Sequence, residues 1–244
     1  MHREIRTILI AVLVVTWMHG ILPTQAGFLG HSVQGDGPVI VDQRNVEAFT
    51  GIRVNGSMDV TVTQGEQQTV AVHGEENLIP LIETIVRDDT LVIGSRNGIV
   101  SSQEIRVIIT IPRLNAVQVD GSGEIEATGV WTGEEFVAVV NGSGDITVKM
   151  CDVDRITCRV SGSGDATLSG STRELTCHLN GSGDIDASEM AAVQANAELH
   201  GSGDIRIRAS ATLNAKVVGS GDIHCTGDAE ITRSIVGSGS IITN

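Results

Sequence analysis

The chain has 244 residues, which is ordinary single-domain size once a short N-terminal segment is set aside. A formal net charge of −14 with no Lys/Arg cluster argues against nucleic acid as a partner, because the surface repels phosphate backbones. Tyr is absent and aromatic residues make up 2% of the chain, so any core must be built from Val, Ile, Leu and Ala.

The first element is the apolar run from Ile8 to Met18, preceded by Arg3 and Arg6 and followed by the small residue Ala26. It is too short to cross a bilayer comfortably and reads as a secretory signal peptide over residues 1–26, with an uncleaved anchor as the alternative. No later apolar stretch is long enough to span, and no Cys lies near the cleavage point to carry a lipid. The body is therefore expected to be exported, to the periplasm or to the cell surface and medium. A flexible mature N-terminus is expected over 27–37. A single domain should fill 38–244, with irregular strands and first rungs over 38–113 and regular repeats over 114–244.

Within the repeats, Gly-Ser-Gly recurs with its Ser at 122, 143, 163, 182, 202, 220 and 238, intervals of 18 to 21 residues. That is a solenoid period. Asn55-Gly56-Ser57-Met58-Asp59 is a degenerate earlier copy. Aligning the copies on the Ser gives apolar columns. Five residues before it stand Val117, Ala138, Cys158, Cys177, Ala197, Ala215 and Arg233, and three before it Val119, Val140, Val160, Leu179, Leu199, Val217 and Ile235. Three residues after it come Ile125, Ile146, Ala166, Ile185, Ile205, Ile223 and Ile241. Polar residues such as Arg159, His178, Glu198 and Lys216 alternate with them, the pattern of strands with one buried face. Each repeat then reads as a strand, a tight corner, a second strand and a looser return such as "CDVDR", "SGSTRE" or "TGDAE". The fold expected is all-β, a parallel β-helix with like residues stacked about 4.8 Å apart. A β-propeller would want a longer repeat and aromatic signatures.

The corner glycines Gly121, Gly142, Gly162, Gly181, Gly201, Gly219 and Gly237 are assigned to architecture, since the same corner on every rung leaves no special copy for catalysis. No copy completes a phosphate-binding loop or a nucleophile elbow. The block "FTGIRVNGSMDVTVTQGEQQTVAVHGEENLIPLIETIVRDDTLVI", then "VIITIPRLNAVQVDGSGEI" and the repeats, resembles the putative auto-transporter adhesin, head GIN domain family over about residues 38 to 242. The resemblance implies a right-handed parallel β-helix in an exported bacterial protein and supplies no catalytic residues. Ser240 departs from it, standing where the corner Asp is expected.

The acidic ladder Asp145, Asp165, Asp184, Asp204 and Asp222, preceded by Glu124, raises three readings. Neighbouring carboxylates about 5 Å apart would suit a glycosidase pair, but the aromatic platforms of sugar clefts are missing. As a calcium ladder it offers half the ligand density of the nonapeptide type. The expectation is that each carboxylate is satisfied by its own corner's N–H groups. His178, His200 and His224 face outward in different columns, without metal-ligand spacing. Cys158 and Cys177 share an inward column on adjacent rungs, so a disulfide and two buried thiols both fit, whereas Cys151 and Cys225 should not pair with each other. No cofactor is expected. The leading functional reading is an exported non-catalytic module for adhesion or envelope interaction with an unidentified surface ligand. A β-helical polysaccharide lyase or hydrolase and a self-assembling structural element are the alternatives.

Overall fold

The computed structural model describes residues 32–243, with the backbone alone at Met150. The expected signal segment, 1–26, lies outside the described residues, as does 27–31 of the expected flexible stretch. Within the described residues the chain is β-structured, with one short 3-10 turn at Ile79–Leu81. The N-terminal strands are β1 (Val33–Gln34), β2 (Val39–Gln43), β3 (Gly51–Gly56), β4 (Asp59–Gln64), β5 (Thr69–Glu75), β6 (Ile82–Arg87), β7 (Thr90–Ser95), β8 (Ile99–Val100) and β9 (Arg106–Ile111). The repeats form β10 (Ala116–Gly121), β11 (Glu124–Gly142), β12 (Asp145–Gly162), β13 (Ala166–Gly181), β14 (Ile185–Gly201), β15 (Ile205–Gly219), β16 (Ile223–Thr226), β17 (Glu230–Gly237) and β18 (Ile241–Thr243).

From β10 onward each rung pairs in parallel with the next, and the pairing follows the sequence columns: Ala138↔Cys158, Cys158↔Cys177, Cys177↔Ala197 and Ala197↔Ala215. The chain is thus a parallel β-solenoid. Its inward columns are buried, Val119, Val140, Val160, Leu179, Leu199 and Val217 all at 1% exposure or less. Where the column reaches the last rung, Arg233 and Ile235 are exposed, because β17 pairs with β15 on one side and no described strand lies on the other.

Two features of the sequence reading change. The returns are ladders, not loose bends: Asp152↔Ser171 and Val153↔Thr172 pair in register, and "SGSTRE" and "CDVDR" lie inside continuous strands. A third inward side results, with Trp131 over Cys151 and both buried. Register shifts at Thr128/Trp131, Val148/Cys151, Thr167/Ser169 and Ala187/Ala191 absorb the differences in repeat length. Only "TGDAE" remains partly unpaired, at residues 227–229.

The irregular region joins the coil directly. Gly56 pairs with Gly121 and Asp59 with Glu124, so the degenerate copy is the rung directly before the regular ones, despite the residues inserted between them. The insertion folds back over that rung's outer side, with β7 parallel to β3 and β9 parallel to β4. Antiparallel partners β6 and β5 and then β2 close this end. The segment expected to be flexible is held from Val33 on: β1 pairs with β8, and Gly35 N–H donates to Val100 O at 2.7 Å. Gly35 packs on the buried carboxylate of Glu75, which accepts from Ser101 Oγ, from Ser102 N at 3.0 Å and from Ser102 Oγ at 2.8 Å. These hydroxyl and amide donors, Ser101 foremost, hold its pKa below the ordinary value and replace the water it has lost.

At the corners the two glycines differ in cause. Gly181 has φ of 145°, a region closed to most L-residues, and the equivalent first glycines share it. Gly183 has no such φ. A Cβ there would stand 1.9 Å from Gly164 O on the preceding rung, inside any allowed contact. Gly183→Val should therefore force rungs apart and lower the melting temperature by roughly 6 °C or more, while exposed Ser182→Ala should shift it by no more than about 2 °C. Equal small shifts in the two thermal melts would contradict the close stacking.

Candidate binding faces of the solenoid

The corner carboxylates form a chain of inter-rung hydrogen bonds. Asp165 N–H donates to Asp145 Oδ1 at 2.9 Å, Asp184 N–H to Asp165 Oδ1 at 2.8 Å, and Asp204 N–H to Asp184 Oδ1 at 2.8 Å. Asp222 N–H then donates to Asp204 Oδ1 at 3.0 Å and Ser240 N–H to Asp222 Oδ1 at 2.7 Å. The donor is the next rung's amide, which corrects the expectation that each corner satisfies its own Asp. The pattern follows the residue on the preceding corner. Behind Glu124, Asp145 N–H donates to the backbone at Gly123 O, at 3.1 Å. Behind Asp145, the Asp165 amide takes the carboxylate instead. Arg206 adds a positive charge to the ladder, lying 3.5 Å from Asp184 Oδ2 and 3.4 Å from Asp204 Oδ2. Ser240 ends the series, where no further described rung needs a carboxylate.

The column continues toward the N-terminal end to Asp59, whose carboxyl accepts from Glu124 N–H and hydrogen-bonds to the Glu104 side chain. Burial first, then Glu104, raises the Asp59 pKa to about 6, while Arg106 and the Asp59 hydrogen bond hold Glu104 low. Sequence alignment could not find this pair, because Glu104 lies in the non-repeating insertion.

On the outer face of the strands that precede the corners, Glu198 collects three cationic or potentially cationic groups. Lys216 Nζ is 2.6 Å and His200 Nε2 3.0 Å from Oε1, and His178 Nδ1 is 3.5 Å from Oε2. Hydrogen bonds from His200 and Lys216 hold the Glu198 pKa down at about 2. Different columns did not keep the two histidines apart, since His178 is in register with Glu198 and His200 is two residues on. His224 pairs with Arg206 on another face. Among the described residues no group of three His, Cys, Asp or Glu side chains is arranged to hold a metal.

Cys158 and Cys177 are in register, and all four cysteines, Cys151 and Cys225 included, are buried and free. Burial pushes the Cys158 and Cys151 thiols up to about 12 and Cys177 upward as well, so the thiolate needed for exchange chemistry is suppressed.

Several depressions mark the outer faces. One of about 330 Å³ is lined by Glu174, Gln194, Asn196, Thr212, Asn214 and Glu230, all on successive rungs of the same two columns. A second, of about 640 Å³, lies where the insertion meets the regular rungs, with Thr50, Asp89, Arg113 and Glu135 in its wall. A third, of about 550 Å³, runs along the returns past Asp152, Ser171 and Arg173. Asp59 and Glu104 line none of the three.

The raised pKa of Asp59 has a definite sign. The stability it contributes is full below its ordinary value of 3.8 and is lost as pH rises through about 6. Asp59→Asn, which keeps an acceptor for Glu124 N–H and presents a permanent donor to Glu104, should remove that component. Its melting temperature relative to the parent should therefore rise between pH 4 and pH 7. A difference that stays flat or falls over that interval would contradict a protonated Asp59.

The model of the putative auto-transporter adhesin, head GIN domain matches residues 48–229. Among solved structures, a putative adhesin from Bacteroides fragilis superposes with a TM-score of 0.81 at 24% identity, over 87% of this chain and 100% of its own. A putative lipid binding protein from Parabacteroides distasonis gives 0.73 at 25% identity, over 88% and 100%. A putative adhesin from Parabacteroides merdae gives 0.71 at 20% identity, over 87% and 99%. Below 25% identity the likeness is one of fold. No curated protein matches the sequence. With the parallel coil, the Gly-Ser-Gly-Asp corners and the match over residues 48–229 together, the chain belongs to the putative auto-transporter adhesin, head GIN domain family.

Proposed function

We propose that the protein is an exported, non-catalytic solenoid that attaches to a component of a cell envelope or surface through its repeated outer faces. The observation that carries this reading is the character of those faces. Polar side chains recur rung after rung on a rigid frame, a surface suited to extended, many-point contact. The family and the neighbours described as putative adhesins support it, and the neighbour described as a putative lipid binding protein keeps the envelope as the common setting. A second reading, self-association, is favoured by one observation. β17 and β18 are each paired along one edge only, beside exposed Ile235 and Val236 at 44% and 61% exposure, and open strand edges recruit strands.

The test is to incubate the purified protein with bacterial envelope fragments and with their extracted polysaccharide. Saturable retention without new reducing ends or unsaturated sugars is expected. Release of either product would mark a lyase or hydrolase and overturn the non-catalytic reading. Absence of retention, with concentration-dependent growth of the scattering mass, would favour the assembling element instead.

A further inference from the structure

Polar side chains on the solenoid surface differ in whether the protein itself satisfies them. The corner carboxylates spend Oδ1 on the next rung's amide. Glu198 is saturated by Lys216 and His200. In the depression along the returns, Ser171 donates to Asp152 at 2.6 Å and Thr172 to Asp154 O at 3.1 Å. In the depression by the insertion, Thr50 donates to Asp89. The 330 Å³ trough differs in that neutral amides and hydroxyls, stacked in register on successive rungs, make up its middle. Gln194, Asn196, Thr212 and Asn214 line it and have no side-chain hydrogen-bond partner among the described residues. Asn196 and Asn214 are stacked in register and Gln194 with Thr212, which makes two parallel rows of donors and acceptors.

Charge selects what those rows can hold. Glu174 and Glu230 stand at the two ends of one row, in the order Glu174↔Gln194↔Thr212↔Glu230. Three rung spacings put them about 14 Å apart. Carboxylates only accept hydrogen bonds, whereas amides and hydroxyls do both. The lining contains no cation, although Arg173 stands 3.9 Å from Glu174 and Arg155 is in register with Glu174 on the preceding rung. A polyanion therefore meets two carboxylates and no cation in the lining, and an apolar chain would strip water from polar groups without replacing it. A molecule dense in hydroxyls offers donors to the carboxylates and both functions to the amides at every step along the trough.

We infer that the trough formed by Glu174, Gln194, Asn196, Thr212, Asn214 and Glu230 is a binding site for a glycan chain without negative charge, lying along the solenoid axis. This deepens the attachment reading above and rests on it. The ligand is held by many individually modest hydrogen bonds across successive rungs, with no need for the aromatic platform this chain lacks.

The experiment is isothermal titration of the full chain with neutral hexose hexasaccharides, with hexamers of a uronic acid and with hexalysine. Two variants accompany it. One is Asn196→Ala with Asn214→Ala, both exposed positions, and the other is Asn180→Ala, an exposed amide outside the trough. At least one neutral hexasaccharide should bind, the double variant should weaken it roughly tenfold or more while melting as the parent does, and Asn180→Ala should leave it unchanged. The uronic acid hexamer should bind more weakly than the neutral one. Unchanged affinity in the double variant, preference for the uronic acid, or binding of hexalysine alone would each overturn the assignment. Envelope retention with no sugar bound sinks the trough and leaves the attachment reading standing, whereas loss of both sinks the reading as well.

Discussion

The hydrogen bond from each corner's Asp amide to the carboxylate of the preceding rung's Asp is the interaction from which most of this molecule follows. Ser182 N–H and Gly183 N–H both reach Gly162 O, at 2.9 and 3.3 Å, while Asp184 N–H has no backbone acceptor among the described residues and would be costly to leave unpaired. The carboxylate of Asp165 fills the gap. The glycines are the steric half of the same arrangement, because rungs drawn this close admit no Cβ at Gly181 or Gly183. The Asp is the electrostatic half. A charge-assisted acceptor contributes about 1.5–3 kcal/mol per bond, and here it also fixes register, since a rung displaced by one residue would lose its acceptor and turn its inward column outward.

The acidity of the chain is partly a consequence of this scheme. Asp145, Asp165, Asp184, Asp204 and Asp222 each serve the next rung's amide, and repulsion along the column is offset by the amide dipoles that point at it and by Arg206 between Asp184 and Asp204. Elsewhere the surface handles charge by pairing within the same face, as at Glu198 with Lys216 and at Glu126 with Lys149. The amide and hydroxyl rows of the trough are among the polar groups that folding does not use, and they are stacked in register on successive rungs. A rigid coil holds them in place without any ordering cost at the moment of contact.

The columns were readable because one period runs through them. Alignment on a single Ser placed Cys158 beside Cys177 and Ala138 beside Cys158, and the degenerate Gly56 copy marked a rung that the structure places directly against Gly121. What periodicity could not carry was everything outside the period. The returns looked loose because their lengths vary, yet register shifts at Thr128/Trp131 and Ala187/Ala191 take up that variation while pairing continues on either side. The cap built from β5, β6, β7 and β9 depends on pairings across the insertion, and so do Asp59 with Glu104 and buried Glu75 with Ser101 and Ser102. The direction of the Asp hydrogen bond lies outside the alignment for a related reason, since sequence shows which residues stack but not which amide each carboxylate serves. The rows of the trough do show in the alignment, six and eight residues before each Ser, but only the structure separates them from polar columns whose groups are already paired.

The central claim is that each corner carboxylate serves the next rung's amide, and amide hydrogen exchange read residue by residue tests it most directly. Asp165→Ala should speed exchange at the Asp184 amide by roughly tenfold or more, with Asp165→Asn close to the parent because its Oδ1 still accepts. Amides one rung further, at Asp204, should be little affected. If Asp165→Ala left the Asp184 amide as protected as before, or released the Asp165 corner's own amides instead, the carboxylate would not be the acceptor that joins the rungs.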